Sequence, residues 1–369
     1  MPWWVSRLDG WLLLCAVALS AIGLTLVSSA ATPAEFQRQA AAMAVGWGLV
    51  FALAAIDYEV YARKAPWLYG FGLLLLSLVL LLGEASHGAR RWLLLPGLRF
   101  QPSEPVKLAV IIALAAWLGR DQSAWRKVVG AGALVLPAAL LIALEPDLGT
   151  AASLAAVAAA MLYLAEVNGW LLAALGLAAA APLPFVLHDY QRDRLLVFLD
   201  PERDPTGSGW NLLQSKIAVG SGQLWGQGLY HGSQKALDFL PERHTDFIFA
   251  VAGEELGFIG CLPILALFAT LCLAALNHCG QARDDFGRLL LGGLASYYAV
   301  HVVINVGMVL GVTPVTGLPL PFFSFGGSAL VTNLAALGLM MSVICRRRYQ
   351  ARQSRKQLDE RFAHLRSTH

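Results

Sequence analysis

Apolar runs alternate with short polar breaks along almost the whole chain. A bilayer span needs about 20 mostly apolar residues. Ten runs meet that need, near 11–31, 40–56, 67–83, 105–119, 128–145, 149–165, 168–187, 247–276, 287–311 and 326–345. The pattern predicts an all-α polytopic membrane protein with ten transmembrane helices. The fourth run is short and opens on Ser103-Glu-Pro-Val-Lys107, where Ser103 suits an N-cap and Pro105 a first helical turn. The alanine-rich stretches 151–160 and 173–181 belong to spans, and no repeat of 20–50 residues is evident.

The polar breaks orient the spans, because Lys and Arg concentrate in cytoplasmic loops. With the N-terminus inside, the inner loops and tail hold Arg7, Arg63, Lys64, Arg120, Arg126, Lys127, Arg283, Arg288 and eight basic residues from Arg346 to Arg366, 16 of the 27 in all. Both termini are then cytoplasmic. One long extracytoplasmic loop, 188–245, joins helices 7 and 8. Residues 1–345 read as a single membrane domain and 346–369 as a basic cytoplasmic tail. Within the long loop, Trp210-Asn-Leu-Leu-Gln-Ser-Lys-Ile217 is amphipathic, with Leu213 and Ile217 on one face, and is expected to lie at the membrane surface. Trp3, Trp4, Trp11, Trp67, Trp92, Trp170 and Trp210 fall near span ends, as interfacial anchors do.

Composition narrows the class further. Only 14% of the 369 residues are charged and 57% are hydrophobic, against about 25% charged in a soluble domain. That leaves no room for a large soluble domain. A net charge of +3 is mild, and no nucleic-acid partner is expected. The five cysteines form no C-x-x-C pair and avoid the long loop, which argues against a disulfide framework or a zinc site. Arg7, the run 11–27 and the small residues after it resemble a signal peptide. The run is longer than an ordinary h-region and many spans follow, so it is read as an uncleaved first helix.

The unusual polar residues gather on the outer side: Arg90, Arg91, Glu104, Lys107, Glu145, Asp147, Asp189, Arg192, Arg194, Lys216, Arg243, His244 and Asp246. Ionisable groups at a membrane helix are candidates for function. The densest stretch is Phe239-Leu-Pro-Glu-Arg-His-Thr-Asp246, which leads into a long apolar run that still holds Glu254 and Glu255. Asp246 has two readings. With Thr245 it can cap the next helix, or it can act as a base; the roles can coexist. Glu104 and Lys107, spaced i, i+3, form either a self-neutralising ion pair or a substrate contact. Arg90, Arg91, Arg192, Arg194, Lys216 and Arg243 are each ordinary loop cations alone, but together they can hold a pyrophosphate, which the planar guanidinium meets bidentately. His244 beside Asp246 has no matching Ser or Cys nucleophile. Glu145-Pro-Asp-Leu-Gly-Thr150 reads as a turn. The Gly-rich 220–228 stretch is not a phosphate-binding fingerprint, and no H-E-x-x-H, Walker or kinase motif occurs.

Several longer motifs then match one family. They are Arg99-Phe-Gln-Pro-Ser-Glu104 with Lys107, Glu145–Thr150, His188-Asp-Tyr-Gln-Arg192, Asp200-Pro with Gln214–Gly222, Phe239–Phe247, Asn305-Val-Gly-Met-Val-Leu-Gly311 and Gly317-Leu-Pro-Leu-Pro-Phe-Phe-Ser-Phe-Gly-Gly-Ser328. In this order, over nearly the whole length, they resemble the SEDS family (shape, elongation, division and sporulation), nearest its rod-shape branch. Phe325 departs from the Tyr common before Gly-Gly-Ser, and Pro105 after Glu104 is less usual. The resemblance implies a peptidoglycan glycosyltransferase in the cytoplasmic (inner) membrane of a bacterium. Such an enzyme polymerises lipid II, with undecaprenyl-diphosphate-linked glycan as donor, at the outer face, for cell elongation. Implied partners are a class B penicillin-binding protein, other elongation-complex membrane proteins and membrane lipids. The resemblance makes Asp246 the essential carboxylate. Binding of pyrophosphate or sugar is expected of Arg90, Arg91, Lys107, Arg192, Arg194, Lys216, Arg243 and His244, with Glu104, Glu254, Glu255 and Ser324 in support. No cofactor is required by the motifs, and a divalent cation (Mg or Mn) is an alternative to the basic residues for balancing diphosphate charge. The competing functions are a flippase for lipid-linked precursors, which needs a polar path across the bilayer, and a non-catalytic scaffold.

Overall fold

The computed structural model describes residues 4–86, 89–95, 98–181, 189–204, 207–232 and 239–367. Each apolar run contains a helix. The first three are α1 (Gly10–Ala30), α2 (Pro33–Ala55) and α3 (Tyr58–Leu82). Next come α4 (Ser103–Leu118), α5 (Ala124–Leu144), α6 (Leu148–Leu164) and α7 (Gly169–Ala180). The segment after α7 adds α8 (Asp189–Leu199) and α9 (Ser208–Gly222), followed by α10 (Ile248–Gly280), α11 (Asp285–Leu310) and α12 (Gly327–Ser367). Local signals start these helices. Asp9 Oδ1 accepts from the backbone N–H of Trp11 and Leu12, at 3.1 and 3.0 Å. Thr32 and Glu35 close a capping box, and Asp57, Asp147, Asn168 and Asp284 cap α3, α6, α7 and α11.

Among the described residues seven helices are long and apolar enough to cross a membrane: α1, α2, α3, α5, α10, α11 and residues 327–349 of α12. The expected cap at Ser103 is corrected. Pro102 takes the cap position and makes no side-chain cap bond. The short α4 is enclosed by protein, with Val110, Ile111, Leu114 and Ala115 fully buried; it packs against α3, α5, α6, α11 and α12. The basic segment after Cys345 is a continuation of α12, not a separate element.

Three further features shape the surroundings of these helices. The segment between α3 and α4 carries an antiparallel sheet in the order β1 (Glu84–Ser86), β2 (Ala89–Leu95), β3 (Leu98–Phe100). Ala85 faces Arg90, and Leu94 faces Arg99. α9 leaves Leu213, Lys216 and Ile217 exposed on one face. Its opposite face, with Leu212, Ser215, Ala218 and Gly222, packs on α10 and α11. Small residues permit that approach: a Cβ on Gly222 would lie 1.9 Å from the Gly253 carbonyl oxygen. Finally, α10 is broken at Gly257, at φ 67° and ψ −172°. The segment after α9 enters this break. Phe258 and Ile259 N–H groups donate to the carbonyls of Gln223 and Leu224, and Gln227 and Gly228 N–H groups donate to those of Glu254 and Glu255. A helix interrupted at membrane depth needs such replacement partners. A Cβ on Gly257 would meet the Gly226 nitrogen at 2.2 Å. Gly257→Ala is therefore expected to lower stability by more than the ~1–3 kcal/mol of an isolated backbone outlier, read as a drop in thermal unfolding temperature of the detergent-purified protein.

Polar contacts collect at the two ends of the bundle. At one end Asp9 meets His278 and Arg348, at 3.0 and 2.5 Å, and Asp57 meets Arg346 at 2.8 Å. At the other end lie the start of α2, the sheet, the α5–α6 turn, the start of α10 and the segment 312–326. There α2 packs along α12 and α3 along α4, while α2 and α3 touch each other little. A cleft is left between them.

Candidate active site

Residues 241–247 form a tight turn ahead of α10 at that second end. The carbonyl of Glu242, a residue at φ 54°, accepts from the N–H groups of Thr245 and Phe247, at 3.2 and 3.3 Å. The Thr245 hydroxyl donates to the same carbonyl and lies 2.9 Å from Glu242 Oε2. Phe247 occupies the α10 cap position without a side-chain bond. Neither Thr245 nor Asp246 caps the helix, so of the two readings of Asp246 the cap is set aside. Its carboxyl is half-buried in the wall of a cavity of about 1890 Å³.

Burial and the neighbouring Glu242 carboxylate push the Asp246 carboxyl up to about 7. Asp147 adds to the rise; Arg194 and Arg91 oppose it. The group is thus poised near neutral pH, where a general base works best. Gly317, at φ 73°, brings the segment 312–326 against it, so that even a Cβ there would sit 3.2 Å from Asp246 Oδ2.

The cavity gathers part of the expected set. Arg91, Arg194, His244, Glu104 and Asp246 line it. Arg91 Nε donates to the Glu145 carbonyl at 2.8 Å, and its Nη2 donates to that of Pro146, which fixes the α5–α6 turn. Arg194 Nη1 donates to the Val315 carbonyl at 3.4 Å. His244 Nε2 stands 3.6 Å from Glu35 Oε1, and its ring packs 5.4 Å from that of Phe325.

The other expected residues lie elsewhere. Lys107 is buried behind the cavity wall, its Nζ 2.9 Å from Glu104 Oε1, 3.3 Å from His301 Nε2 and 5.4 Å from the Tyr297 ring centre. It has no access to a diphosphate, because α4 buries it as the partner of Glu104. Arg192 is exposed on α8, and Lys216 is exposed on α9 with its side chain against Gly311. Arg243 Nε donates to the Ala30 carbonyl and ties the turn to the end of α1. None of these three lines the cavity. Arg90 sits on β2 opposite Ala85. Glu254 and Glu255 are buried at the α10 break, where Glu255 Oε1 accepts from the Ser29 hydroxyl at 2.5 Å. Ser324 Oγ accepts from the Leu320 N–H at 2.7 Å, shaping the segment that borders the cavity.

Glu35, Arg38 and Gln39 lie just ahead of the apolar run 40–56, where the run itself assigns them no role. Glu35 and Arg38 line the cavity. Gln39 is buried and clamps the Gly317–Ser328 motif, donating to the Ser324 carbonyl and accepting from Gly326 N–H, at 2.9 and 3.1 Å. The signal was there: Thr32 with Glu35 spells a capping box, so the helix starts at Pro33 and carries its polar residues inward. Glu145, read only as part of a turn, is fully buried, and both its carboxylate oxygens lack a hydrogen-bond partner among the described residues. Burial and Asp147 push its carboxyl up to about 8, against the pull of Arg91, so it is largely neutral at pH 7.

Below the charged rim the cavity turns apolar. Val45 and Leu49 of α2 face Leu68, Phe71 and Leu75 of α3 across the cleft, and Val45 and Phe71 are 65% and 59% exposed. Among the described residues no three His, Cys, Asp or Glu side chains form a metal-ligating group. A base near neutrality, the guanidinium groups of Arg38, Arg91, Arg99 and Arg194 and an apolar cleft together suit proton removal from a hydroxyl beside an anionic leaving group on a lipid.

Comparison with known proteins agrees with this chemistry. Residues 10–349 match the model of the FtsW, RodA and SpoVE family, described as cell cycle protein. The peptidoglycan glycosyltransferase MrdB of Escherichia coli K12 is 41% identical over 349 residues, 92% of this chain and 94% of MrdB. A chain from a solved peptidoglycan synthase complex, described as coordinating polymerization and crosslinking, superposes with a TM-score of 0.81 at 35% identity, covering 92% of this chain and 98% of that one. The rod shape determining protein RodA of Thermus thermophilus gives a TM-score of 0.70 at 32% identity, covering 91% and 96%.

Proposed function

The chain belongs to the FtsW, RodA and SpoVE family, and from that membership we propose how its cavity polymerises glycan. The protein is a peptidoglycan glycosyltransferase of the RodA type, acting in cell elongation. In the proposed reaction the acceptor is the 4-hydroxyl of the GlcNAc of lipid II, and the donor is a glycan on undecaprenyl diphosphate. Asp246 takes the hydroxyl proton as the oxygen forms its bond to the donor's anomeric carbon. The bond from that carbon to the diphosphate breaks on the opposite face, and the configuration inverts from α to β. Arg91 and Arg194 balance the charge of the departing diphosphate, as guanidinium groups do for phosphate oxygens. The cleft between α2 and α3 takes a lipid chain.

In this reading all ten runs traverse the membrane, the short α4, α6 and α7 included. Both termini are cytoplasmic and the cavity opens outward. A class B penicillin-binding protein crosslinks the product, a partnership supported by the relative solved within a synthase complex that couples the two activities.

The observation that carries the proposal is the Asp246 carboxyl, near neutrality in a cavity that also holds Arg91 and Arg194. Only its ionised form accepts the proton. Its raised pKa means that ionisation is half complete near pH 7, approaches completion well above it and is lost as pH falls below it. Reconstituted protein fed labelled lipid II is expected to polymerise roughly tenfold more slowly at one pH unit below 7 than on the alkaline plateau. A flat rate across that interval contradicts the assignment.

A further inference from the structure

From the contacts behind the catalytic turn we infer that Asn305 is a positioning residue for Asp246, holding its backbone and that of the 312–326 segment in one fixed relation. The inference rests on Asp246 being the base. Asn305 belongs to a motif that marks the family but to which the proposed mechanism gives no task.

Asn305 is fully buried on α11. Its Nδ2 donates to two carbonyls, those of Asp246 and Leu318, both at 2.8 Å. The amide orientation follows from chemistry, since the opposite flip would set its oxygen against two carbonyl oxygens. One side chain thus joins the turn before α10 to the segment whose Gly317 abuts Asp246 Oδ2. His301, one helical turn earlier, adds a second hold. Its Nε2 faces the Lys107 ammonium, which can only donate, so its Nδ1 carries the hydrogen and donates to the Pro319 carbonyl at 3.4 Å. Adjacent carbonyls of one segment, 318 and 319, are pinned by residues i and i+4 of one rigid helix. Such support from a regular element is what holds a reacting group to within fractions of an ångström.

Asp246 Oδ2 is the atom whose place matters. Among the described residues nothing hydrogen-bonds the carboxyl, so its position depends on its backbone and on the walls around it. The charged groups that face it are Glu242 from its own turn, Arg194 from α8, Asp147 at the start of α6 and Arg91 from β2. Releasing the backbone lets the carboxyl turn toward water and away from the carboxylates that oppose its ionisation.

The test uses full-length Asn305→Ala and Asn305→Asp, the latter matching Asn in shape but lacking both donors. Each is reconstituted and given labelled lipid II, with Asp246→Asn in parallel. The expected result is folded protein in both variants, kcat lower by about 10–100-fold and KM within twofold of the parent. The acid limb of the rate should move about one unit below that of the parent. A merely structural role lowers the amount of active protein but leaves kcat per active molecule and the acid limb in place, and that outcome overturns the inference. If Asn305→Ala and Asn305→Asp do not fold, Asn305→Ser, which keeps one donor, carries the same readouts; failure of all three to fold assigns Asn305 to stability and rejects positioning. An inactive Asp246→Asn beside an unaffected Asn305→Ala sinks this inference alone, whereas an active Asp246→Asn sinks the base.

Discussion

Asp246→Asn is expected to abolish polymerisation of lipid II, a loss of about 10²–10⁴-fold, without unfolding the protein. The magnitude is that of removing one positioned general base. Asn matches the carboxylate in shape, and the turn around residue 246 is held by backbone groups that the substitution leaves alone, through Glu242 and Asn305. Stability should not fall. A carboxyl whose folded-state pKa is raised contributes stability that is fully present below its unfolded value near 4 and is lost as pH rises through about 7. Above that pH the native ionised Asp246 opposes folding, and a neutral Asn removes the opposition. Thermal unfolding of the variant should therefore equal or exceed that of the parent at alkaline pH, with the gap closing as pH falls. The activity measurement is glycan chain length from labelled lipid II in proteoliposomes. Normal polymer from both Asp246→Asn and Asp246→Ala would reject the base.

Helix positions were legible because the bilayer imposes length and apolarity on each run, and Asp, Asn and Thr caps mark where most of them start. Even the short α4 was read as a span from its apolar block; its burial by five neighbours explains how it tolerates Glu104 and Lys107. The cavity was legible only in part. A list of outer cations offers no distance between them, so Arg91 and Arg194 could not be separated from Arg192 and Lys216, which lie on the same side but face away. The cap reading of Asp246 failed for a similar reason. A Thr-Asp pair before a helix fits a cap, and only the bond from Thr245 to Glu242 shows the cap chemistry diverted. Asn305, 59 residues from Asp246, and Gln39, 285 from Ser324, act through contacts that no local pattern encodes. The break in α10 was hidden because Gly257 lies in a run whose hydropathy is continuous across it.

Lys107→Met is expected to be the most destabilising single change near the site. Lys107 and Glu104 are 1% and 2% exposed and 2.9 Å apart. Each ion is held in the protein only by the other and by a few dipoles. Met fills much of the lysine volume but leaves the Glu104 carboxylate buried without its cation, and leaves His301 Nε2 without its donor. Breaking one partner of a buried pair costs about 3–5 kcal/mol, far more than the pair itself contributes. Glu104 Oε2 already lacks a hydrogen-bond partner among the described residues, so nothing nearby absorbs the loss. Glu104→Gln combined with Lys107→Met removes both charges and is expected to recover most of that stability, a non-additivity that a double-mutant cycle on thermal unfolding measures directly. Equal stability of Lys107→Met and the parent would refute the buried pair. Turnover of the stable double variant then separates the two readings of Glu104, the only member of the pair at the cavity wall. Retained polymerisation makes the pair a strut for α4, and a loss in a fully folded protein makes Glu104 a contact for the sugar.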